Sequence, residues 1–229
     1  MKVGGLQKVS LIDYPGLISS VIFLQGCNFR CSYCHNPELV DPGLFQHCIP
    51  EKEILAFLQM RRGKIDAVTV TGGEPTIQND LSCLIKQLKE MGFAVKLDTN
   101  GSRPQVVKTL LAKKLLDFIA MDIKGPLEKY AGIAGVPVVA ENIVQSIKYI
   151  RQSGIPHEFR TTIVRSQLTE KDISKIAAMI PEDRRYVLQK FIPGKTLNKK
   201  FLHEVGRAAP ELEKIKKRLE KENTSVIIR

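Results

Sequence analysis

The chain has 229 residues, 43% of them hydrophobic and 26% charged, the balance of a folded chain with a sizeable core. Its formal charge of +11 raises nucleic-acid binding, but Lys214, Lys216, Lys217, Arg218 and Lys221 alternate with Glu211, Glu213, Glu220 and Glu222, the pattern of a solvated helix face. No segment approaches the roughly 20 apolar residues of a membrane span, and Asp13 and Pro15 precede any apolar run long enough for a leader; a single cytoplasmic domain over residues 1–229, with no membrane or nucleic-acid partner, is expected.

Residues 19–24 are apolar and β-branched enough for a buried strand, which leads directly into a loop holding Cys27, Cys31 and Cys34. Helical spacing follows over 51–62. A strand over 67–70 ends in Thr71-Gly72-Gly73-Glu74-Pro75, and a helix over 80–91 carries Leu81, Leu84, Ile85 and Leu88 on one face. A strand over 94–97 ends in Asp98-Thr99-Asn100-Gly101, a helix covers 104–113, and a strand over 118–121 ends in Asp122-Ile123-Lys124-Gly125. Residues 125–140 show no clear element and read as a binding loop, with Lys129 and Tyr130 as candidates for contact with a partner. Helices near 141–153, 171–179 and 210–222 then alternate with strands near 158–164, 186–189 and 225–228. Repeated strand–helix units call for a parallel sheet, either curved into a partial (β/α)6 barrel or left open and doubly wound, and periodicity does not choose between them.

Three of the five cysteines form the array Cys27-x3-Cys31-x2-Cys34. Thiolates this close on one loop suit a soft metal centre better than a disulfide. Two centres fit the spacing. A [4Fe–4S] cluster on three cysteines leaves one iron open to a small chelating molecule, which implies chemistry rather than electron storage. A structural zinc would need His35, His47 or Cys48 as its fourth ligand and would make the chain a zinc-stabilised binding module.

The other unusual polar groups follow predicted strands, where the C-terminal ends of a parallel barrel bring loops together. Gly72 and Gly73 let a backbone approach a ligand, and Pro75 stiffens their turn. Asp98 and Asp122 can accept hydrogen bonds or hold a cation, and Lys124 can neutralise a carboxylate. Each motif has a plainer reading, as an ordinary strand-to-helix turn or a buried Asp–Lys pair, but their convergence favours a catalytic cofactor site over a zinc knuckle. Cys83, among Leu81, Leu84 and Ile85, reads as buried packing, Cys48 as incidental, and His157 and His203 as structural or surface residues.

The cysteine array resembles the signature of the radical S-adenosylmethionine (SAM) superfamily, with Tyr33 where that family has an aromatic residue. The runs Ser10-Leu11-Ile12-Asp13-Tyr14-Pro15-Gly16, Gln25-Gly26-Cys27-Asn28-Phe29-Arg30-Cys31 and Tyr33-Cys34-His35-Asn36-Pro37 narrow the resemblance to the glycyl-radical-enzyme activating proteins. Within these it looks most like the short anaerobic ribonucleoside-triphosphate reductase activating proteins, through about residue 195. The resemblance implies an α/β fold, the partial (β/α)6 TIM-like barrel of the radical SAM type. It implies an oxidoreductase in which Cys27, Cys31 and Cys34 are the metal ligands and catalytic residues of a [4Fe–4S] cluster. It further implies a SAM site drawn from Tyr33, His35, Gly72, Gly73, Glu74, Asp98, Thr99, Asp122, Lys124 and Arg160, with a monovalent cation near Asp98 and Asp122. The implied partners are a glycyl-radical enzyme and flavodoxin or ferredoxin as electron donor. Pyruvate formate-lyase activators carry a Pro-Tyr-His segment near the end of their sixth strand, where this chain has Gln189-Lys190-Phe191-Ile192-Pro193-Gly194. No histidine is assigned there, and the difference favours the ribonucleotide-reductase subgroup over the alternatives, pyruvate formate-lyase activation or action on a small molecule such as a deazapurine precursor.

Overall fold

The computed structural model describes residues 1–180, 185–221 and 225–229. Among these, one sheet runs in chain order through β1 (Val3–Ser10), β2 (Ser19–Leu24), β3 (Ala67–Gly72), β4 (Ala94–Thr99), β5 (Phe118–Asp122), β6 (His157–Ile163), β7 (Arg185–Lys190) and β8 (Ser225–Ile228). β1 is antiparallel to β2, and every later pair of neighbours is parallel. The helices between them are α1 (Pro37–Val40), α2 (Glu51–Arg61), α3 (Leu81–Glu90), α4 (Pro104–Ala112), α5 (Tyr130–Ala134), α6 (Ala140–Gln152), α7 (Glu170–Ala177) and α8 (Ala209–Lys221). The sheet does not close, since β1 and β8 are its two ends; the result is a partial barrel. No helix among the described residues is long and apolar enough to cross a membrane.

Because both faces of the parallel strands are covered, their sequences are apolar in runs rather than in strict alternation. One face, with Val68, Val70, Val95, Leu97, Ile119 and Met121, joins the core made with Leu81, Leu84, Ile85 and Leu88 of α3 and Val107 and Leu110 of α4. The register puts the opposite set side by side on the concave face: Thr69 beside Lys96, Asp98 beside Ala120, Asp122 beside Arg160. At the N-terminal end of the strands this interior is stoppered by Tyr14, Ala67, Phe118 and Ala120, with the Tyr14 and Phe118 rings 5.9 Å apart. The Ser10-to-Gly16 run therefore forms the floor of the barrel, at the end away from the cysteine loop.

Four expectations change. β1 has no strand signal of its own, because Gly4 and Gly5 interrupt it; pairing with β2 makes it a strand. Residues 125–140 are not an open loop: a 3-10 turn over Leu127–Lys129 leads into α5, and Ala140 already begins α6. Tyr130 is 1% exposed with its ring edge-on to Phe29 and so offers no surface to a partner, whereas Lys129 pairs with Asp172 at 2.7 Å while its side chain stays 44% exposed. Cys83 is exposed rather than buried, because at about 100° per residue it lies opposite the stripe of Leu81, Leu84, Ile85 and Leu88. The helix expected over 210–222 ends, as described, at Lys221, and Glu222 lies outside the described residues.

Candidate active site

The ends of β2 to β7 surround a cavity of about 610 Å³. The cysteines of the loop after β2, Tyr33 and His35, Gly72, Gly73 and Glu74 after β3, Asp98 and Thr99 of β4, Asp122 and Lys124 around the end of β5, and Arg160 of β6 all line it. Parallel strands point their C-terminal ends the same way, so motifs from Cys27 to Arg160 share one mouth. The sequence reading missed Thr162, Gln189 and the Ile192-Pro193-Gly194 rim; these belong to turns and strand ends without a residue pattern that marks chemistry.

The cysteine loop is fixed on several sides. Gly26 N–H donates to Leu39 O (2.7 Å) and Arg30 N–H to Ala134 O of α5 (2.7 Å). The Arg30 guanidinium donates to the carbonyls of Cys27 (2.7 Å) and Phe29 (2.8 Å). Asn28 donates to Ser102 Oγ (2.8 Å) and accepts from Asn100 (3.0 Å), tying the array to the turn after β4. Residues 191–198 cross over the loop: Leu197 and Asn198 N–H donate to the carbonyls of Cys34 and Ser32, both at 3.0 Å. His35 stacks on Phe191 at 5.2 Å, with its Nε2 2.9 Å from Ile192 O.

All five cysteines are free. Burial pushes the three loop thiols up, Cys27 to about 12, so they stay protonated unless a metal takes them as thiolates. Among the described residues no three His, Cys, Asp or Glu side chains are grouped as for a single metal ion. Cys48 is exposed and bonded to Gln25 Oε1 at 3.3 Å, and neither it nor His47 lines the cavity. Three cysteines set around a cavity of this size fit a body larger than one zinc ion. The Tyr33 hydroxyl, buried in the cavity wall without a hydrogen-bond partner among the described residues, is a donor left over for a ligand.

Gly72 and Gly73, which line the cavity, have a packing reason as well. A Cβ on Gly72, whose φ is +121°, would lie 2.3 Å from Leu24 N, and one on Gly73 would lie 2.0 Å from Gly26 O. Their bareness lets the end of β3 touch the start of the cysteine loop, sealed by Gly73 N–H to Leu24 O and Glu74 N–H to Gly26 O, each 2.8 Å. Glu74 is 1% exposed. Its carboxylate accepts from Thr76 N–H (3.1 Å) and Oγ1 (2.5 Å), Thr99 Oγ1 (2.6 Å) and Asn100 N–H (2.6 Å). It is a strut between two strand ends. Burial pushes this carboxyl up, against the pull of the four donors.

Across the cavity, charges alternate. Arg160 Nη1 is 3.0 Å from Asp98 Oδ2 and its Nε 2.8 Å from Asp122 Oδ1; Lys124 Nζ is 3.1 Å from Asp122 Oδ2; Lys96 Nζ is 2.7 Å from Asp98 Oδ1. Burial alone would raise the Asp122 carboxyl, but Arg160 and Lys124 hold it well below the usual carboxylate range. Burial works equally against the Lys124 ammonium, and Asp122 beside it keeps it charged. Every carboxylate oxygen of Asp98 and Asp122, the pair near which the resemblance implies a monovalent cation, faces a positive side chain.

The radical SAM superfamily model matches residues 21–180. The chain belongs to the radical SAM superfamily. A Methanocaldococcus jannaschii protein that carries the name glycyl-radical enzyme activating enzyme is 34% identical over 234 aligned residues, covering 99% of this chain and 95% of the relative. The pyruvate formate-lyase-activating enzyme of Clostridium pasteurianum is 29% identical over 202 residues, covering 86% of this chain and 83% of that one. Among solved structures, Streptococcus suis SuiB bound to S-adenosylmethionine superposes with a TM-score of 0.68 at 14% identity, over 91% of this chain and 51% of SuiB, a likeness of fold. This radical SAM chain is accordingly an enzyme of a superfamily that works with a [4Fe–4S] cluster and SAM.

Proposed function

We propose that this radical SAM enzyme activates anaerobic ribonucleoside-triphosphate reductase by generating its glycyl radical. The observation that carries the reading is the meeting, in one cavity, of the three-cysteine loop and a charge array ending in Lys124. The near full-length similarity to a protein named as a glycyl-radical enzyme activating enzyme supports it. Cys27, Cys31 and Cys34 would hold the cluster, and Lys124 would face the carboxylate of the SAM methionine moiety. Glu74 keeps the Thr99 and Asn100 turn in place, and the floor of Tyr14 and Phe118 closes the barrel against water from below. When bound, the cluster would supply the one electron that splits SAM into methionine and a 5′-deoxyadenosyl radical, which would take a hydrogen atom from a partner glycine Cα and so become 5′-deoxyadenosine. A small acidic electron carrier, flavodoxin or ferredoxin, would deliver that electron to this chain of net charge +11. Free cysteines throughout suit the reducing cytoplasm.

The reductase is preferred to pyruvate formate-lyase because the rim after β7 is Phe191-Ile192-Pro193-Gly194, folded onto His35, in place of a histidine-bearing segment. The test is anaerobic reconstitution with iron and sulfide, followed by SAM, a reductant and each candidate enzyme in turn. A glycyl-radical EPR signal on the ribonucleotide reductase is expected. A signal only on a pyruvate formate-lyase type partner would reassign the substrate, and 5′-deoxyadenosine formation without a radical on any such enzyme would move the reading to a small-molecule substrate.

A further inference from the structure

Electron transfer through protein falls off steeply with distance, so a carrier that reduces this enzyme must dock close to the cysteine loop. The cavity mouth is the side a substrate glycine must enter, which leaves the carrier the outer side of the loop. Two segments back the loop there. On the α5 side the charges are already engaged: Lys129 with Asp172, Lys175 with Glu128, and Arg30 with the Cys27 and Phe29 carbonyls. The other backing is the strap of residues 191–198, whose Leu197 and Asn198 N–H groups donate to the carbonyls of Cys34 and Ser32 at 3.0 Å. One hydrogen bond therefore joins the strap to a cysteine of the array.

The strap continues into a 3-10 turn over Lys199–His203, and neither this turn nor Lys195 lines the cavity. Lys195, Lys199 and Lys200 are all exposed. The acids nearby are accounted for: Glu38 pairs with Lys195 at 2.6 Å, and Glu204 accepts from Ser166 N–H (3.3 Å) and Oγ (2.6 Å). Lys199 and Lys200 have no acidic partner among the described residues. At three residues per turn, Leu202, 39% exposed, stands over Lys199, so an apolar contact is rimmed by ammonium groups, as at protein–protein interfaces. The platform is fixed. Thr196 is buried, Phe201 packs against the core, the Asn198 side chain accepts from Lys200 N–H at 3.0 Å, and Arg207 donates to Leu168 O at 2.8 Å.

We propose that Lys195, Lys199, Lys200 and Leu202 form the docking surface for an acidic electron-carrier protein, which passes its electron through the strap to the Cys34 side of the array. The carrier loses one electron and the centre held by the three cysteines gains it; no bond is made or broken in the step. The inference rests on the radical SAM activating reading of the cavity.

The test uses reconstituted wild type, Lys199→Glu/Lys200→Glu and, as a control with the same change of charge, Lys108→Glu/Lys113→Glu on and just after α4. Two quantities are measured: the dissociation constant for oxidised flavodoxin or ferredoxin, by calorimetry, and 5′-deoxyadenosine formation with the same carriers reduced or with photoreduced 5-deazariboflavin, a small neutral reductant. In the strap variant, binding of the carrier and the rate at limiting carrier should both fall about tenfold at low ionic strength, the scale of electrostatic steering. The deficit should shrink in 1 M salt, where the Debye length is about 3 Å, and the rate with deazariboflavin should stay at wild type. The control should match wild type throughout. Unchanged carrier binding, an equal loss with deazariboflavin, or an equally weakened control would overturn the proposal. So would a variant that keeps its carrier kinetics but no longer forms the radical on the reductase, since the surface would then belong to that partner. Wild type that cleaves no SAM with any reductant would instead overturn the reading beneath it.

Discussion

Replacing Gly73 with alanine puts a methyl carbon where the cysteine loop already stands. The added Cβ would lie 2.0 Å from Gly26 O and 2.6 Å from its carbonyl carbon, whereas such contacts stay above 3.0 Å, so the two backbones must part by about 1 Å. That opening stretches the bonds from Gly73 N–H to Leu24 O and from Glu74 N–H to Gly26 O. Two buried hydrogen bonds at about 1 kcal/mol each and about 1–3 kcal/mol of overpacking predict a loss on the order of 3–5 kcal/mol. For a chain of this size, where 1 kcal/mol moves Tm by about 2–4 °C, the fall should be roughly 10 °C. A shift of about 1 Å in the cysteine loop should also cost on the order of 100-fold in SAM cleavage. Gly132→Ala is the control: it is exposed in α5, with no atom within 4 Å of an added Cβ, and should be neutral or gain up to about 1 kcal/mol. Thermal unfolding of the metal-free chain and 5′-deoxyadenosine formation after reconstitution read the two effects. A Gly73→Ala variant with wild-type Tm and rate, or a Gly132→Ala variant equally damaged, would refute the clamp between β3 and the cysteine loop.

Glu74→Gln keeps the shape of the strut but turns an amide NH2 toward donors, and should cost about 2 kcal/mol in urea denaturation at neutral pH. Because burial raises the Glu74 carboxyl above 4.5, its linkage contribution is full below that value and is lost as pH rises through the folded one; the variant should lack this acid-side gain when the two stability–pH curves are subtracted. Asp172 behaves oppositely. Burial would raise it, but hydrogen bonds from Lys129 and Thr169 hold it at about 2 against an ordinary 3.8, which amounts to about 2 kcal/mol present above pH 3.8 and lost as pH falls toward 2. Asp172→Asn should therefore destabilise by about that much at pH 7 and far less near pH 2, in denaturation at both. Cys83→Ser, on the exposed side of α3, should change stability by less than about 0.5 kcal/mol and leave iron content intact, whereas Cys31→Ala should abolish both the cluster absorbance and SAM cleavage.

Strands β2 to β8 and the longer helices between them were legible because each carries its own local cause. Apolar runs such as Ala67-Val68-Thr69-Val70 mark strands buried on both faces, and Leu81, Leu84, Ile85 and Leu88 mark one stripe of a helix. The site was legible in the same way, since its motifs directly follow those runs and a parallel barrel gathers strand ends. What escaped depends on partners far away in the chain. β1, broken by two glycines, exists through its pairing with β2. The five-residue α5 is too short to form alone and is held by Phe29 and by the bond from Arg30 to Ala134. The segment 191–198 has no periodicity, and its place over Cys34 follows from two backbone bonds. Lys96 and Asp98, two apart on one strand, were bound to share a face, but Arg160 lies 62 residues beyond Asp98. Composition and periodicity thus determined the elements and the chemistry each could bring, while only the tertiary packing decided which charges meet and which one is left facing the cavity.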